Sequence, residues 1–329
     1  MISVYYTNEN LELSVFTNEQ NEDIYDKIIR KSWIHMTNPT DDEITKVSQI
    51  TKISESIIRI PLDEEETAHI DIDDEATLVV VDTPVIEIDE DNIAINKYYT
   101  TPFGIIFNND YFITTSLKTN AIEQSLNSRW MKNFATNKHI KLTIQILYRN
   151  AARFVTVLKQ LDRNSDSVQK RLHQSLKNKE LFELMSLGKS LVYLSTGINA
   201  NHLVLEKLKR LNEFRKYEED VDLIEDAIIE SRQAMEMANI HRDILNGTMD
   251  AFASVISNNV NTIMKTLTVV TIVLTIPTVV ASLFGMNFDI PINQEHGFII
   301  AIIISFVLSF LGAILLIKYT SSVKRNRRK

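Results

Sequence analysis

The chain has 329 residues, with 35 Lys and Arg against 43 Asp and Glu, and no cysteine. A disulfide framework, a zinc–thiolate site and a thiol nucleophile are therefore excluded. The first 260 residues hold 28 basic and 41 acidic groups, a net charge of −13 that repels phosphate backbones and argues against nucleic acid as a partner.

The N-terminus, MISVYYTNENLELSV, lacks the basic start and long apolar core of a signal peptide, so the acidic part is expected to stay on the side where it is made. Short strands are predicted over 2–6 and 11–16 around an Asn-rich turn, and over 32–36. Asn38-Pro39-Thr40 breaks the chain. Thr40 then reads as an N-cap, with Asp41, Asp42 and Glu43 in a first turn where the helix dipole favours anions. Glu43 stands three residues on, the capping-box spacing. The helix is expected to reach about Thr51, with a second near 54–60. Strand patterns return at 77–82, 85–89, 104–107 and 111–115, with breaks expected at Thr83-Pro84 and Asn108-Asn109-Asp110. Residues 1–120 are thus predicted to form an α/β domain, with helices packed on a largely β sheet.

From 121 to 219 helical periodicity takes over. Helices are predicted over 141–161, 167–196 and 201–217, with a bend or end at 199–201. A last helix starts near Asp220 and meets no proline until Pro277, interrupted only by Gly247 at a cost of about 1 kcal/mol relative to Ala. One small domain does not stabilise a helix that long. It implies a bundled stalk, hence an oligomer, that continues into a membrane helix over 220–288.

Two uncharged runs close the chain: 23 residues over 266–288 and 21 over 297–317. Each meets the roughly 20 residues that cross a bilayer as a helix. The tail 318–329 has six basic residues and no acid, which keeps it cytoplasmic and offers charge to anionic lipid. Two crossings return the chain to its starting side, so both termini are expected in the cytoplasm of a cell-membrane protein. The loop 289–296, with Asp289 and Glu295 and no Lys or Arg, then faces outward.

On the first crossing, Asn261, Met264, Leu267, Thr268, Thr271, Thr275, Thr278 and Ser282 recur at spacings of three and four and share one face. Val269, Ile272, Val273, Ile276, Val279, Val280 and Leu283 occupy the others. Small polar residues let membrane helices pack closely. The same stripe also suits a water-filled path, with Met264 and Leu267 as its apolar constriction. Both readings stand at this stage. Gly285-Met286-Asn287 follows, between the stripe and the acidic loop. Taken alone it is a helix end, with Gly breaking and Asn capping.

Stripe, motif, stalk and paired crossings together resemble the CorA family of magnesium channels. Similarity is strongest from Asp243 to Phe288, through Asp243, Gly247, Asp250, Asn261-x-x-Met264-Lys265-x-Leu267-Thr268 and Gly285-Met286-Asn287; Trp33-Ile34 and Pro39-Thr40 match nearer the start. The resemblance implies a homopentamer that conducts Mg²⁺ inward. Asn287 would ring the outer mouth with amide oxygens, helped by Gly285 carbonyls. Met264 and Leu267, with Asn261 below, would form a narrow cytoplasmic gate. Mg²⁺ dehydrates reluctantly, and neutral oxygens bond its waters without stripping them. The resemblance also implies regulatory Mg²⁺ between subunits at Asp226, beside Glu225. The acidic partners usual in the family are replaced here by Arg59 and Ile60, and Asp63, Glu64, Glu65 and Glu66 stand nearby as substitutes. No nucleotide is expected, since neither the phosphate-binding G-x-x-x-x-G-K-[ST] nor G-x-G-x-x-G occurs.

Two alternatives remain: a related transporter of Zn²⁺, Co²⁺ or Ni²⁺, and a membrane-anchored structural or signalling protein with a non-conducting hairpin. An enzyme is not expected. The seven histidines form no H-E-x-x-H or other close ligand spacing, and no Ser/His/Asp arrangement can be read from the chain.

Overall fold

Apolar side chains on consecutive strand residues, pointing to opposite faces, require a sheet covered on both sides. The computed structural model describes residues 1–8, 12–17, 24–88, 96–119, 135–175, 178–284, 286 and 294–326. Strands β1 (Ile2–Thr7), β2 (Leu13–Thr17), β3 (Trp33–Thr37), β4 (His69–Ile72), β5 (Thr77–Ile88), β6 (Asn96–Phe107) and β7 (Phe112–Ser116) form one seven-stranded sheet, ordered β2-β1-β3-β7-β6-β5-β4. β3 and β7 are parallel and every other pair is antiparallel.

Neighbouring residues divide between two cores. Trp33, Val79, Phe103, Ile105 and Phe112 face the first, and Ile34, Leu78, Val80, Ile106 and Ile113 the second. Helices α1 (Asp41–Thr51) and α2 (Glu55–Arg59) cover the second face with Ile44, Val47 and Ile58. The first is covered by α3 (His139–Ser175), α4 (Asn178–Arg210) and the start of α5 (Glu218–Phe284), through Leu142, Ile146, Leu205, Leu208, Ile224 and Ile228. The capping box is present: Thr40 Oγ1 accepts from Glu43 N at 3.3 Å, and Glu43 Oε2 accepts from Thr40 N at 2.9 Å.

The sheet departs from expectation at Thr83-Pro84, where β5 runs through without a break. Pro84 lies opposite Thr100 of β6, and β4 pairs only with Thr77 to Val80, so no strand on the other side asks Pro84 for an N–H. Pro102 of β6 is tolerated for the same reason, since β7 pairs only from Phe103 onward. The Asn108-Asn109-Asp110 turn is a hairpin as expected, joining β6 to β7.

The three helices predicted over 141–217 become two long ones. The helix does not end at 199–201, because Asn201 has strand partners and does not compete for its own helix. Its amide accepts from Asp82 N and donates to Asp82 O, both at 2.8 Å. Asn150 of α3 donates to the same carbonyl at 2.7 Å. Gly197 allows this approach: a Cβ there would lie 3.0 Å from Asp82 Cβ and from Thr100 Cγ2. Gly104 is tighter still, since a Cβ on it would meet the ring of Pro61 at 2.2 Å.

Burial beneath α4 raises the Asp82 carboxyl above the usual range, opposed in part by a hydrogen bond from Thr100. A raised carboxyl favours the fold while protonated and costs it stability as pH climbs through the shifted value. Asp82→Asn should therefore raise Tm at neutral pH, and the gain should vanish below the ordinary carboxyl range of about 4. Thermal unfolding at pH 3.5 and 7.5 checks this.

The chain divides into units Met1–Gly247 and Thr248–Lys329. The second unit holds the remainder of α5 and α6 (Gln294–Asn326). Helix α6 begins before 297 and continues past 317, taking residues assigned above to the loop and the basic tail. An uncharged run marks where apolar composition starts and stops, whereas backbone hydrogen bonding carries on through charged residues. α5 contains a stretch long and apolar enough to cross a membrane; among the described residues the apolar part of α6, Ile302–Leu315, is shorter.

Candidate functional site

At 3.6 residues per turn, Asn261, Met264, Leu267, Thr268, Thr271, Thr275, Thr278 and Ser282 fall within a sector of about 120° on α5. All eight are exposed. Val269, Val273, Ile276, Pro277 and Val280 occupy a sector about opposite, and these are the residues that are covered: Val280 is 7% exposed and the other four are half-buried. α6 reaches this side at Ile276, where Gly312 lets the backbone come close: a Cβ on it would stand 3.0 Å from Ile276 Cδ1. α6 thus meets α5 on the side away from the polar stripe; apolar residues between the two sides, among them Val270, Leu274, Val279 and Leu283, are exposed as the stripe is.

The threonine hydroxyls point their protons inward. Thr268, Thr271, Thr275 and Thr278 donate to the carbonyls of Met264, Leu267, Thr271 and Leu274 at 2.8, 2.9, 2.8 and 3.2 Å. Each hydroxyl carries one proton and two lone pairs. With their protons committed to the helix, these four threonines offer their surroundings acceptors only. Such a surface suits a species that donates hydrogen bonds, such as the waters around a cation. Met264 and Leu267 add exposed apolar bulk at the stripe's start, at 56% and 57%.

Beyond Phe284, Met286 is 57% exposed and its N–H approaches Leu283 O at 3.5 Å. Gly285, Asn287 and Asp289 lie outside the described residues, as does the side chain of Glu295.

The acids assigned to regulation are not gathered within one chain. Glu225 is paired with Lys209 at 2.8 Å and Asp226 is exposed. Glu64 lies 4.0 Å from Lys118, Glu66 3.5 Å from His69, and Asp63 accepts from Glu65 N at 3.0 Å. Arg59 is held by Asp41 at 2.6 Å and by Glu55 at 3.5 Å. Among the described residues, no three His, Asp or Glu side chains converge as a metal site. The Lys209–Glu225 pair had no signal in the sequence, because it joins two helices whose packing is set by apolar contacts elsewhere.

A sequence model describing the CorA-like Mg²⁺ transporter protein matches residues 30–319, most of the chain. The chain belongs to the CorA-like Mg²⁺ transporter family. A cobalt/magnesium transport protein CorA from Methanocaldococcus jannaschii is 28% identical over 290 residues, covering 86% of this chain and 89% of that one. A second CorA, from Thermotoga maritima, is 26% identical over 136 residues, 41% of this chain and 39% of its own. The complete structure of the M. jannaschii CorA magnesium transporter shares the fold, with a TM-score of 0.79 at 24% identity over 96% of each chain. The CorA fold thus accounts for both parts described above, the α/β unit and the long helix that leaves it.

Proposed function

We propose that copies of this chain form a membrane channel for divalent cations, Mg²⁺ foremost, moving down the electrochemical gradient. The observation that carries this reading is the uncovered stripe. It lies on the face of α5 that α6 does not take, so within a bilayer its natural partners are the same faces of further copies around a shared axis. Five copies, as the family resemblance implies, would place Thr268, Thr271, Thr275, Thr278 and Ser282 along a wet path and Asn287 at its mouth. Committed hydroxyl protons leave acceptors for the hydrate's waters, which helps to hold the ion without removing them. Met264 and Leu267, with Asn261, form the cytoplasmic constriction.

α5 and α6 both cross the membrane in this reading, with the acidic α/β unit and the basic tail in the cytoplasm. A divalent ion entering across a 100 mV potential, negative inside, gains about 4.6 kcal/mol, so no nucleotide is needed. Cytoplasmic Mg²⁺ closes the channel by bridging neighbours, with Asp226 and Glu225 of one copy facing Asp63, Glu64, Glu65 and Glu66 of the next. Asp289 and Glu295 draw cations to the outer side.

Full-length protein in liposomes, loaded with a Mg²⁺-sensitive dye and given a negative-inside K⁺ diffusion potential, tests the reading. Mg²⁺ should enter without nucleotide and faster at larger potentials, with Co²⁺ competing. Entry of Zn²⁺ with exclusion of Mg²⁺ would favour the related Zn²⁺ transporter, and no flux of any divalent ion would favour the anchor.

A further inference from the structure

Helices α3, α4 and α5 meet around a small cavity in the first unit, lined among others by Asn150 and Phe154 of α3, Asn201 and Leu205 of α4, and Ser231 and Ala234 of α5. It leaves about 10 Å³ for the centre of a water molecule to move in, near the lower limit for holding one. Its polar residues are buried: Asn150 is 2% exposed, Ser231 3% and Asn201 7%.

Asn150 is the informative one. Its amide nitrogen donates to Asp82 O at 2.7 Å, and turning the amide over would set two oxygens against each other, so its orientation is fixed. Asn201, whose amide serves the N–H and carbonyl of Asp82, makes no hydrogen bond to it. The Asn150 Oδ1 is consequently buried, aimed away from the strand, and without a hydrogen-bond donor. Buried acceptors are seldom left so.

We propose that this cavity binds a single water molecule that donates to Asn150 Oδ1 and is held in turn by the Ser231 hydroxyl, joining α3 to the stalk helix α5. Within the first unit α5 packs through a seam of Ile224, Ala227, Ile228, Ser231, Ala234 and Ala238, all buried. Ser231 is the polar member of that seam. An apolar seam of small residues tolerates sliding, whereas a water bridge satisfied in one register alone resists it. The bridge would fix the register of this part of α5 against α3.

Ser231→Val in the full-length chain separates a wet cavity from a dry one by sign. Ser and Val have similar helix propensities, so the helix itself is little affected. In a dry cavity the added methyl fills space and Tm rises or stays level. In a wet one it expels the water, strands Asn150 Oδ1, and lowers Tm by roughly 2–4 °C or more. A high-resolution density map of the unmodified protein is the second measurement, and it decides the matter if the variant does not fold. A solvent peak within about 3.2 Å of Asn150 Oδ1 is expected. An unchanged or raised Tm, or a map with no such peak, would overturn the proposal.

Discussion

Asn287→Ala is expected to cut potential-driven Mg²⁺ uptake in liposomes by at least about tenfold, with protein yield and Tm unchanged. In the channel proposed above, groups at the mouth would recognise the hydrated ion by hydrogen-bonding its waters, and an amide oxygen would do this without the charge that would detain a divalent ion. A net hydrogen bond contributes about 0.5–1.5 kcal/mol. With one such bond lost from each copy around the ring, the deficit passes the roughly 1.4 kcal/mol that corresponds to a factor of ten. Asn287→Asp should behave differently, because a ring of carboxylates holds Mg²⁺ strongly and slows its release. Uptake measured at several external Mg²⁺ concentrations distinguishes the two, since Ala lowers the rate throughout and Asp lowers chiefly the plateau. Normal uptake by the Ala variant would return the two helices to the role of an anchor.

Legibility from the amino-acid order followed the range of the interactions involved. The capping box at Thr40 and Glu43, the β6–β7 turn at Asn108-Asn109-Asp110 and the long helix from Glu218 to Phe284 rest on contacts within a few residues, and each could be read directly. Thr83-Pro84 was misleading because a proline's cost in a sheet depends on whether a second strand lies alongside, which residues near Pro84 do not reveal. Asn199 and Asn201 suggested a helix end for a similar reason. The partner that keeps Asn201 helical is Asp82, 119 residues away.

The stripe on α5 was legible as a period, whereas the approach of α6 to the opposite side at Ile276 was not. A helical wheel ranks faces by polarity. Which face a second helix occupies depends on steric fit, here on Gly312, whose significance shows only beside its neighbour. Among the described residues the acids at 63–66 and 225–226 form no group of three or more that could hold a metal ion.

The absence of native cysteine makes the shared axis directly testable with single thiols. Thr275→Cys places one on the open stripe, and Ile276→Cys places one on the side of α5 against α6. A positively charged thiol reagent should stop Mg²⁺ uptake through Thr275→Cys, because one modified side chain obstructs a path common to all copies and its charge repels the ion. Uptake through Ile276→Cys should persist under the same treatment. Undiminished uptake through fully modified Thr275→Cys would contradict a conducting axis lined by this face.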